Sequence, residues 1–452
     1  MSRAESVAPY GGARERTREA FRDGEIPVGV YGLGKMGLPL AAAYAEVCGN
    51  VVGADADEAV VDGIERGECH VEGEPGLDAL VERLVADDAL RATDNRTAAA
   101  EASVHVVIVP TRLTEGNDPD ISILESVVRD VASGLSAGDL VVVECTVPPK
   151  TCREVVTPLL EAESDLSAGE FGVAFCPERT SSGRALEDIR GAYPKVVGGI
   201  DDESTQAAHT IYEQLNAKGV ITVADATTAE AVKLFEGVYR DVNIALANEL
   251  ARFTDELGID VREAIATANT QPFCEIHDPG AGVGGHCIPY YPYFLANDRA
   301  EDAPLLRTAR AVNDSMPEFT VRKLHEEFEA EGRSLDETTV LVLGVAYRPG
   351  VAETAATPAG PIIDGLAAAG ADVLCADPLI DDFNEFDATP VSIDGLTDRA
   401  IDGVVMVTPH EQFERIDWQA FPSPLVVVDG RGALDLSDTP HRVYTIGSGR
   451  DV

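Results

Sequence analysis

The sequence predicts an α/β chain: two doubly wound parallel-sheet domains joined by a central all-helical domain. Three observations carry that prediction. From Ile26 to about residue 225, short β-branched runs alternate with alanine-rich amphipathic segments, from Ala226 to about Glu329 long helical patterns take over, and from about Arg333 the alternation returns. Such alternation marks a parallel sheet with helices on both faces, whose strands, covered on both sides, read as near-continuous apolar runs.

Residues 1–25 are polar and charged and read as a mobile tail. The strand-like runs that follow are Val28–Tyr31, Val51–Asp55, Val104–Val109, Leu140–Glu144, Gly172–Phe175, Lys195–Val197 and Val220–Val223. Between them lie helical stretches such as Met36–Cys48, Glu58–Arg66 and Ile123–Ser133, which makes residues 26–225 one domain. Residues 226–330 hold the helical patterns Ala229–Leu257, Val261–Ala268 and Leu305–Glu329, interrupted by a Gly/Pro-rich loop, Asp278–Pro292. Residues 331–452 carry the runs Val340–Leu343, Asp372–Cys375, Gly403–Val407 and Leu425–Val428, a second unit of similar design.

Composition narrows the function. With 79 Asp+Glu against 35 Lys+Arg and a net charge of −44, the chain presents no basic face for nucleic acid or anionic lipid. Its 45% hydrophobic content is that of a folded protein, not of an acidic disordered one. No apolar run is long enough to span a membrane and the first 25 residues lack a signal-peptide core, so a cytoplasmic location is expected. Only six lysines accompany the acid excess, a composition suited to a high-salt cytoplasm where self-repulsion is screened. The eight cysteines contain no C-x-x-C pair and the histidines no metal-ligand spacing, so free thiols and no metal site are expected.

Two stretches carry chemistry. Gly32-Leu33-Gly34-Lys35-Met36-Gly37 is a G-x-G-x-x-G directly after a strand and opening a helix. Gly32 permits the tight turn, Gly34 lets backbone approach a pyrophosphate, Gly37 lets helix and strand pack, and the helix N-terminus faces the phosphates. The next strand ends in Asp55, 18 residues beyond Gly37, where a carboxylate accepts ribose hydroxyls and repels a 2′-phosphate, which favours NAD over NADP. The bland reading is a glycine turn with no ligand. The second stretch, Gly280-Ala281-Gly282-Val283-Gly284-Gly285-His286-Cys287-Ile288-Pro289, puts four glycines in six positions shortly before a cysteine. Such a thiol is accessible, and loop N–H groups can stabilise a thiolate or oxyanion; a structural thiol in a tight turn is the alternative. Lys233, inside the apolar helical run Ala229–Leu234, is either a chemical lysine or a snorkelling one.

These motifs, with Glu74-Pro75-Gly76-Leu77, Val109-Pro110-Thr111 and Glu144-Cys145-Thr146-Val147, resemble in order the UDP-sugar 6-dehydrogenases. Phe175-Cys176-Pro177-Glu178-Arg179, the run Arg240–Leu250 and the Gly-Gly-His-Cys form of the glycine loop resemble its N-acetylhexosamine branch, and the likeness covers nearly everything after residue 25. The resemblance implies two Rossmann-like domains flanking a helical one, NAD as cofactor, and a four-electron oxidation of a UDP-sugar at C6. In it Cys287 captures the aldehyde as a thiohemiacetal that becomes a thioester, Lys233 stabilises oxyanions or serves as base, and Glu178 activates the hydrolytic water. Thr111 and Thr146 lie beside the cofactor, Arg179, Arg240, Asn243 and Gly284 fall at substrate positions, and Tyr347 and Arg348 near the uridine. A homodimer at least, and polysaccharide biosynthesis as the use of the product, are also implied.

The match breaks at several positions. The family has Asn four residues after the lysine, here Gly237, and Asp four after the cysteine, here Tyr291; His-Pro-Arg before the loop is Gln271-Pro272-Phe273. Lys150 replaces a glycine, and Ala355 stands where an arginine reaches the substrate across the dimer. The leading expectation is a UDP-N-acetylmannosamine dehydrogenase. UDP-glucose 6-dehydrogenase, a single-hydride β-hydroxyacid dehydrogenase and a nucleotide-sugar-binding pseudoenzyme are the alternatives.

Overall fold

The computed structural model describes residues 7–296 and 302–450. They form two compact units, one built on the residues up to Phe235 with a short stretch from Tyr293, the other on Glu236–Pro292 and the C-terminal part of the chain. No helix among the described residues is long and apolar enough to cross a membrane.

The first unit is an eight-stranded sheet of β1 (Val28–Tyr31), β2 (Val51–Ala54), β3 (Leu90–Thr93), β4 (Val104–Val107), β5 (Leu140–Val143), β6 (Gly172–Phe175), β7 (Lys195–Gly199) and β8 (Val220–Thr222). Their spatial order is β8-β7-β6-β5-β4-β1-β2-β3, parallel except between β6 and β7. Strand order reverses at β1, where Val28 pairs with Val51 on one side and Val104 on the other, so a crevice opens at the carboxyl ends of β1 and β4. Alternation sends Val28 and Val30 to one buried cluster and Tyr31 to another, which is why the strand has no polar face.

The tail expected over residues 1–25 needs correction. Residues 1–6 lie outside the described residues, but from Val7 the chain packs into the first unit, with a helix at Arg14–Arg22. Thr17, Ala20 and Phe21 are buried, and the Phe21 ring meets Tyr44 edge-on at 6.2 Å between centroids. Arg14 and Arg18 both reach Glu213 at 2.9 Å. A nonapeptide with two apolar residues carries no periodic signal; its burial is decided by the aromatic wall it meets, not by its own pattern.

Lys150 sits at φ +83°, in the left-handed region that favours glycine. It is held there because Glu230 accepts its backbone N–H and that of Cys152, the latter at 2.8 Å. Lys150→Gly is therefore expected to stabilise the protein by about 1 kcal/mol, read as a rise in Tm. An unchanged or lowered Tm would show that the backbone strain is relieved elsewhere.

The second unit takes up the rest of the helix Ala226–Ala251, then Val261–Ala268, Pro304–Asp314 and Met316–Ala330. It ends in a seven-stranded sheet of β9 (Thr339–Leu343), β10 (Asp372–Ala376), β11 (Thr389–Pro390), β12 (Gly403–Met406), β13 (Val426–Asp429), β14 (Arg442–Thr445) and β15 (Gly449–Arg450). The order is β11-β10-β9-β12-β13-β14-β15, with only the last pair antiparallel. Two α/β sheets and a helical region between them in sequence are thus the architecture expected from the alternating runs. Among the helices, buried Asp241 pairs with Arg310 and accepts from Asn313 at 2.9 Å, while Asn313 accepts from Asn248 at 2.9 Å. Burial still raises the Asp241 carboxyl, against the opposing pull of Arg310 and Asn313.

Candidate functional site

In the first unit, every chemically marked residue follows the carboxyl end of a strand or reaches that edge from the following helix. Gly32, at φ +98°, donates its N–H to the Ala54 carbonyl at 2.8 Å, which closes the turn after β1. A Cβ on Gly37 would lie 2.8 Å from the Gly32 carbonyl carbon, so helix and turn pack without a side chain between them. Over Gly34, by contrast, a Cβ would meet nothing within 4 Å. The tip of the turn is open, with Lys35 exposed and Met36 half-buried beside it. Asp55 accepts the Leu33 N–H at 2.7 Å and the Asp57 N–H at 3.0 Å, one on each oxygen. Each oxygen keeps a lone pair for a hydroxyl donor. Thr111 and Thr146, both half-buried, follow β4 and β5 on the same edge.

Glu178, after β6, forms the charged centre of this unit. Its Oε2 lies 3.2 Å from Lys233 Nζ, and the same ammonium donates to the Glu178 backbone carbonyl. Its Oε1 accepts from the Thr180 hydroxyl at 2.6 Å, and Thr180 in turn reaches Met36 Sδ at 3.0 Å. The Lys233 side chain is 5% exposed and that of Glu178 19%. Burial pushes the Glu178 carboxyl up, but the Lys233 charge and the two hydrogen bonds from Thr180 outweigh it, so the group sits below the ordinary carboxylate range. Arg179 turns the other way: its guanidinium stacks 5.0 Å from the Tyr193 ring centroid and donates to the Pro194 carbonyl at 3.3 Å.

In the second unit the glycine loop is held by backbone and arginine contacts. Arg262 donates to the Pro279 carbonyl at 2.7 Å, Arg431 to that of Gly282 at 3.2 Å, and Gly280 N–H to Asn248 at 2.8 Å. Burial lowers Arg431 to about 10, with Arg262 adding to the effect. The loop then crosses the segment after β9. Gly285 N–H reaches the Ala355 carbonyl at 2.8 Å, and a Cβ on Gly284 would lie 2.9 Å from Tyr347 Cβ. Gly285, at φ +94°, would meet the Tyr347 ring at the same distance. Only bare backbone can cross here. Cys287 emerges exposed, next to His286, whose Nε2 lies 3.2 Å from Glu353. Burial raises the Tyr347 phenol, and the Glu353 carboxylate adds to it. Arg348 stands beside Tyr347 in the same segment. Asn243 is committed to backbone, accepting the His277 N–H at 2.8 Å and donating to the Glu275 carbonyl at 2.6 Å, while Arg240 is exposed.

Sequence reasoning missed Thr180, Asn248, Arg262 and Arg431, which hold the marked residues in place. It also missed Lys195, which pairs with buried Glu144, itself accepting from Tyr212. Lysine scarcity was a usable signal for Lys195; nothing in the sequence points from the arginines to a loop far away in the chain.

Comparison with known proteins agrees with this geometry. Residues 26–216 match the NAD binding domain of the UDP-glucose/GDP-mannose dehydrogenase family, 227–315 its central domain and 341–436 its UDP binding domain. A UDP-N-acetyl-D-mannosamine dehydrogenase of Pyrococcus horikoshii is 36% identical over 412 residues, covering 90% of this chain and 96% of that one. An NDP-N-acetyl-D-galactosaminuronic acid dehydrogenase of Ralstonia nicotianae is 34% identical over 420 residues, covering 90% and 95%. The solved structure of a UDP-D-ManNAc dehydrogenase from Pyrococcus horikoshii superposes with a TM-score of 0.85 at 34% identity, covering 93% of this chain and 99% of that one. Family-model matches to all three domains in order, with relatives aligned along nearly their whole length, leave one assignment: the chain belongs to the UDP-glucose/GDP-mannose dehydrogenase family.

Proposed function

We propose that the protein oxidises the C6 hydroxyl of UDP-N-acetyl-D-mannosamine to the carboxylate, with NAD as acceptor. The observation that carries this reading is an exposed thiol, Cys287, following a glycine loop held by Arg431 at Gly282 and by the Ala355 carbonyl at Gly285. The open backbone over Gly34, the Asp55 carboxylate and the helix N-terminus at Gly37 fit a dinucleotide, and Thr111 and Thr146 edge the same crevice. When bound there, NAD takes up hydride.

The residues divide the work. The Lys233 ammonium, paired with Glu178, is placed to stabilise an alkoxide as the C6 hydroxyl loses its proton. An aldehyde is a poor hydride donor until a nucleophile makes it tetrahedral, and Cys287 supplies the sulfur for that thiohemiacetal. Loss of the second hydride leaves a thioester. Glu178, held ionised by Lys233 and Thr180, is suited to take a proton from the water that hydrolyses it and frees the thiol. In sum, one alcohol, one water and two NAD give one carboxylate, two NADH and three protons. Arg240 and Gly284 are proposed for direct contact on the sugar side, Arg179 and Asn243 for holding the Pro194 and Glu275–His277 backbone, and Tyr347 and Arg348 for the uridine side.

An N-acetylhexosamine is favoured over glucose by the Gly-Gly-His-Cys form and by the names of the Pyrococcus and Ralstonia relatives. Incubation with NAD and a panel of UDP-sugars should yield a uronate and two NADH per sugar, best from UDP-N-acetylmannosamine. Uronate from UDP-glucose alone would move the substrate assignment. Binding of NAD and UDP-sugar without turnover would leave a pseudoenzyme, the alternative raised by the loss of Asn and Asp at 237 and 291.

A homodimer is proposed from the helix Ala226–Ala251. Phe235, Tyr239 and Leu246 are all more than 45% exposed and recur at helical spacing, with Phe253 just beyond continuing the stripe. Leu246→Glu is expected to convert the protein to a monomer in light scattering; an unchanged mass would place the interface elsewhere. A high-salt cytoplasm and polysaccharide biosynthesis complete the proposal. On removal of KCl, Tm should fall as the net charge of −44 loses its screening. Full stability in dilute buffer would end the high-salt reading.

A further inference from the structure

Gly237 and Tyr291 are two separate departures from the family pattern in sequence, but one object in space. Gly237 lies within the helix Ala226–Ala251 and outside the positive-φ residues, so its backbone has no need of glycine. A glycine in a helix interior is a cost without a conformational reason. The reason is room. A Cβ at 237 would lie against Cδ2 of the Tyr291 ring, 2.7 Å from its Cε2 and 2.9 Å from its Cγ, closer than carbon atoms can stand. Tyr291 is 9% exposed, its ring seated on that bare stretch of helix. The same residue opens the short helix Tyr291–Ala296, and its N–H bonds the Cys287 carbonyl at 3.0 Å, with Tyr290 N–H at 3.1 Å from the same oxygen. The ring, the turn and the thiol-bearing residue are therefore mechanically continuous.

We propose that Tyr291 is a positioning residue for Cys287, anchoring its turn by seating an aromatic ring on Gly237, and that this ring–glycine pair replaces the Asn and Asp found in the family. This rests on Cys287 being the nucleophile. A side chain at 237 then requires a smaller residue at 291. Neither asparagine nor alanine at 237 coexists with the tyrosine, whereas a small residue at 291 makes a side chain at 237 welcome.

A double-mutant cycle tests the pair. Gly237→Ala should lower Tm in the native background, by overpacking, and raise it in a Tyr291→Ala background, by helix propensity alone. The same sign in both backgrounds would overturn the seating. Tyr291→Leu should reduce kcat on the order of 10-fold or more with KM for NAD and UDP-sugar little changed, and displace the pH profile of Cys287 alkylation by iodoacetamide. Tyr291→Phe, which keeps the ring, should restore both. A Leu variant with lowered Tm but native kcat and native alkylation profile would make Tyr291 merely structural. Should Tyr291→Ala or Tyr291→Leu fail to fold, the paired exchange Gly237→Asn/Tyr291→Asp serves instead. It should be more stable and more active than Gly237→Asn alone, and the reverse result refutes the coupling. Uronate formation surviving in Cys287→Ser would remove the nucleophile assignment while leaving the Tm sign test intact, so the two failures are distinguishable.

Discussion

Replacing Cys287 with serine is expected to abolish uronate formation, with kcat for the overall reaction falling on the order of 10⁴-fold. The exposed thiol offers a sulfur nucleophile on a loop whose other exposed functional side chain, His286, is paired with Glu353 at 3.2 Å. A serine hydroxyl occupies the same place, but it is far less readily ionised and a poorer leaving group when water attacks. Binding should survive, because the open glycine turn and Asp55 lie in the other compact unit. The measurement is NADH yield per sugar beside calorimetric NAD affinity, with intact-protein mass spectrometry looking for a sugar adduct on the native enzyme. An unchanged yield from the serine variant, or an adduct on another cysteine, would reassign the nucleophile.

Removing the Lys233 ammonium should have the second-largest effect, and it acts on stability and chemistry together. Lys233→Met leaves Glu178 enclosed without its cation, which costs roughly 3 kcal/mol by analogy with broken buried pairs, and should lower kcat on the order of 10³-fold. The pH dependence gives a sharper sign. In the native protein the Glu178 carboxyl titrates below the ordinary carboxylate range, so its contribution to stability is present above the unfolded value of 4.5 and is lost as pH falls through the folded one. In Lys233→Met the burial that opposes ionisation loses its main counterweight, and the carboxyl should move up. Its contribution would then be present at low pH and lost as pH rises. Tm measured from pH 4 to 8 separates the two: the variant should lose less stability than the native protein toward pH 4. Parallel curves would mean that Thr180 alone keeps Glu178 ionised.

Features carried by neighbours along the chain are legible in the sequence alone. The G-x-G-x-x-G turn with Asp55 at the end of the next strand, the alternating apolar runs and the four glycines before Cys287 each declare themselves within a few residues. Their meaning is local backbone geometry: a positive φ at Gly32, open backbone at Gly34, a close crossing at Gly285. Resemblance to a known family supplied roles for Lys233 and Glu178, and the structure places their charged ends 3.2 Å apart.

Tertiary structure decided what depends on partners distant in sequence. The helix Arg14–Arg22 reads as a polar tail because its burial comes from Tyr44 and Glu213, not from its own pattern. Lys150 is a plain substitution in the sequence and a strained residue only once Glu230 is seen holding its N–H. Gly237 and Tyr291 look like two losses until the ring is found resting where a side chain would have been. By itself the sequence determined two parallel sheets, a dinucleotide turn and a marked cysteine, because these are written in short-range steric rules. Which side chains clamp, strain or make room for one another was left to the fold, because such contacts follow from excluded volume and charge between segments that no local pattern brings together.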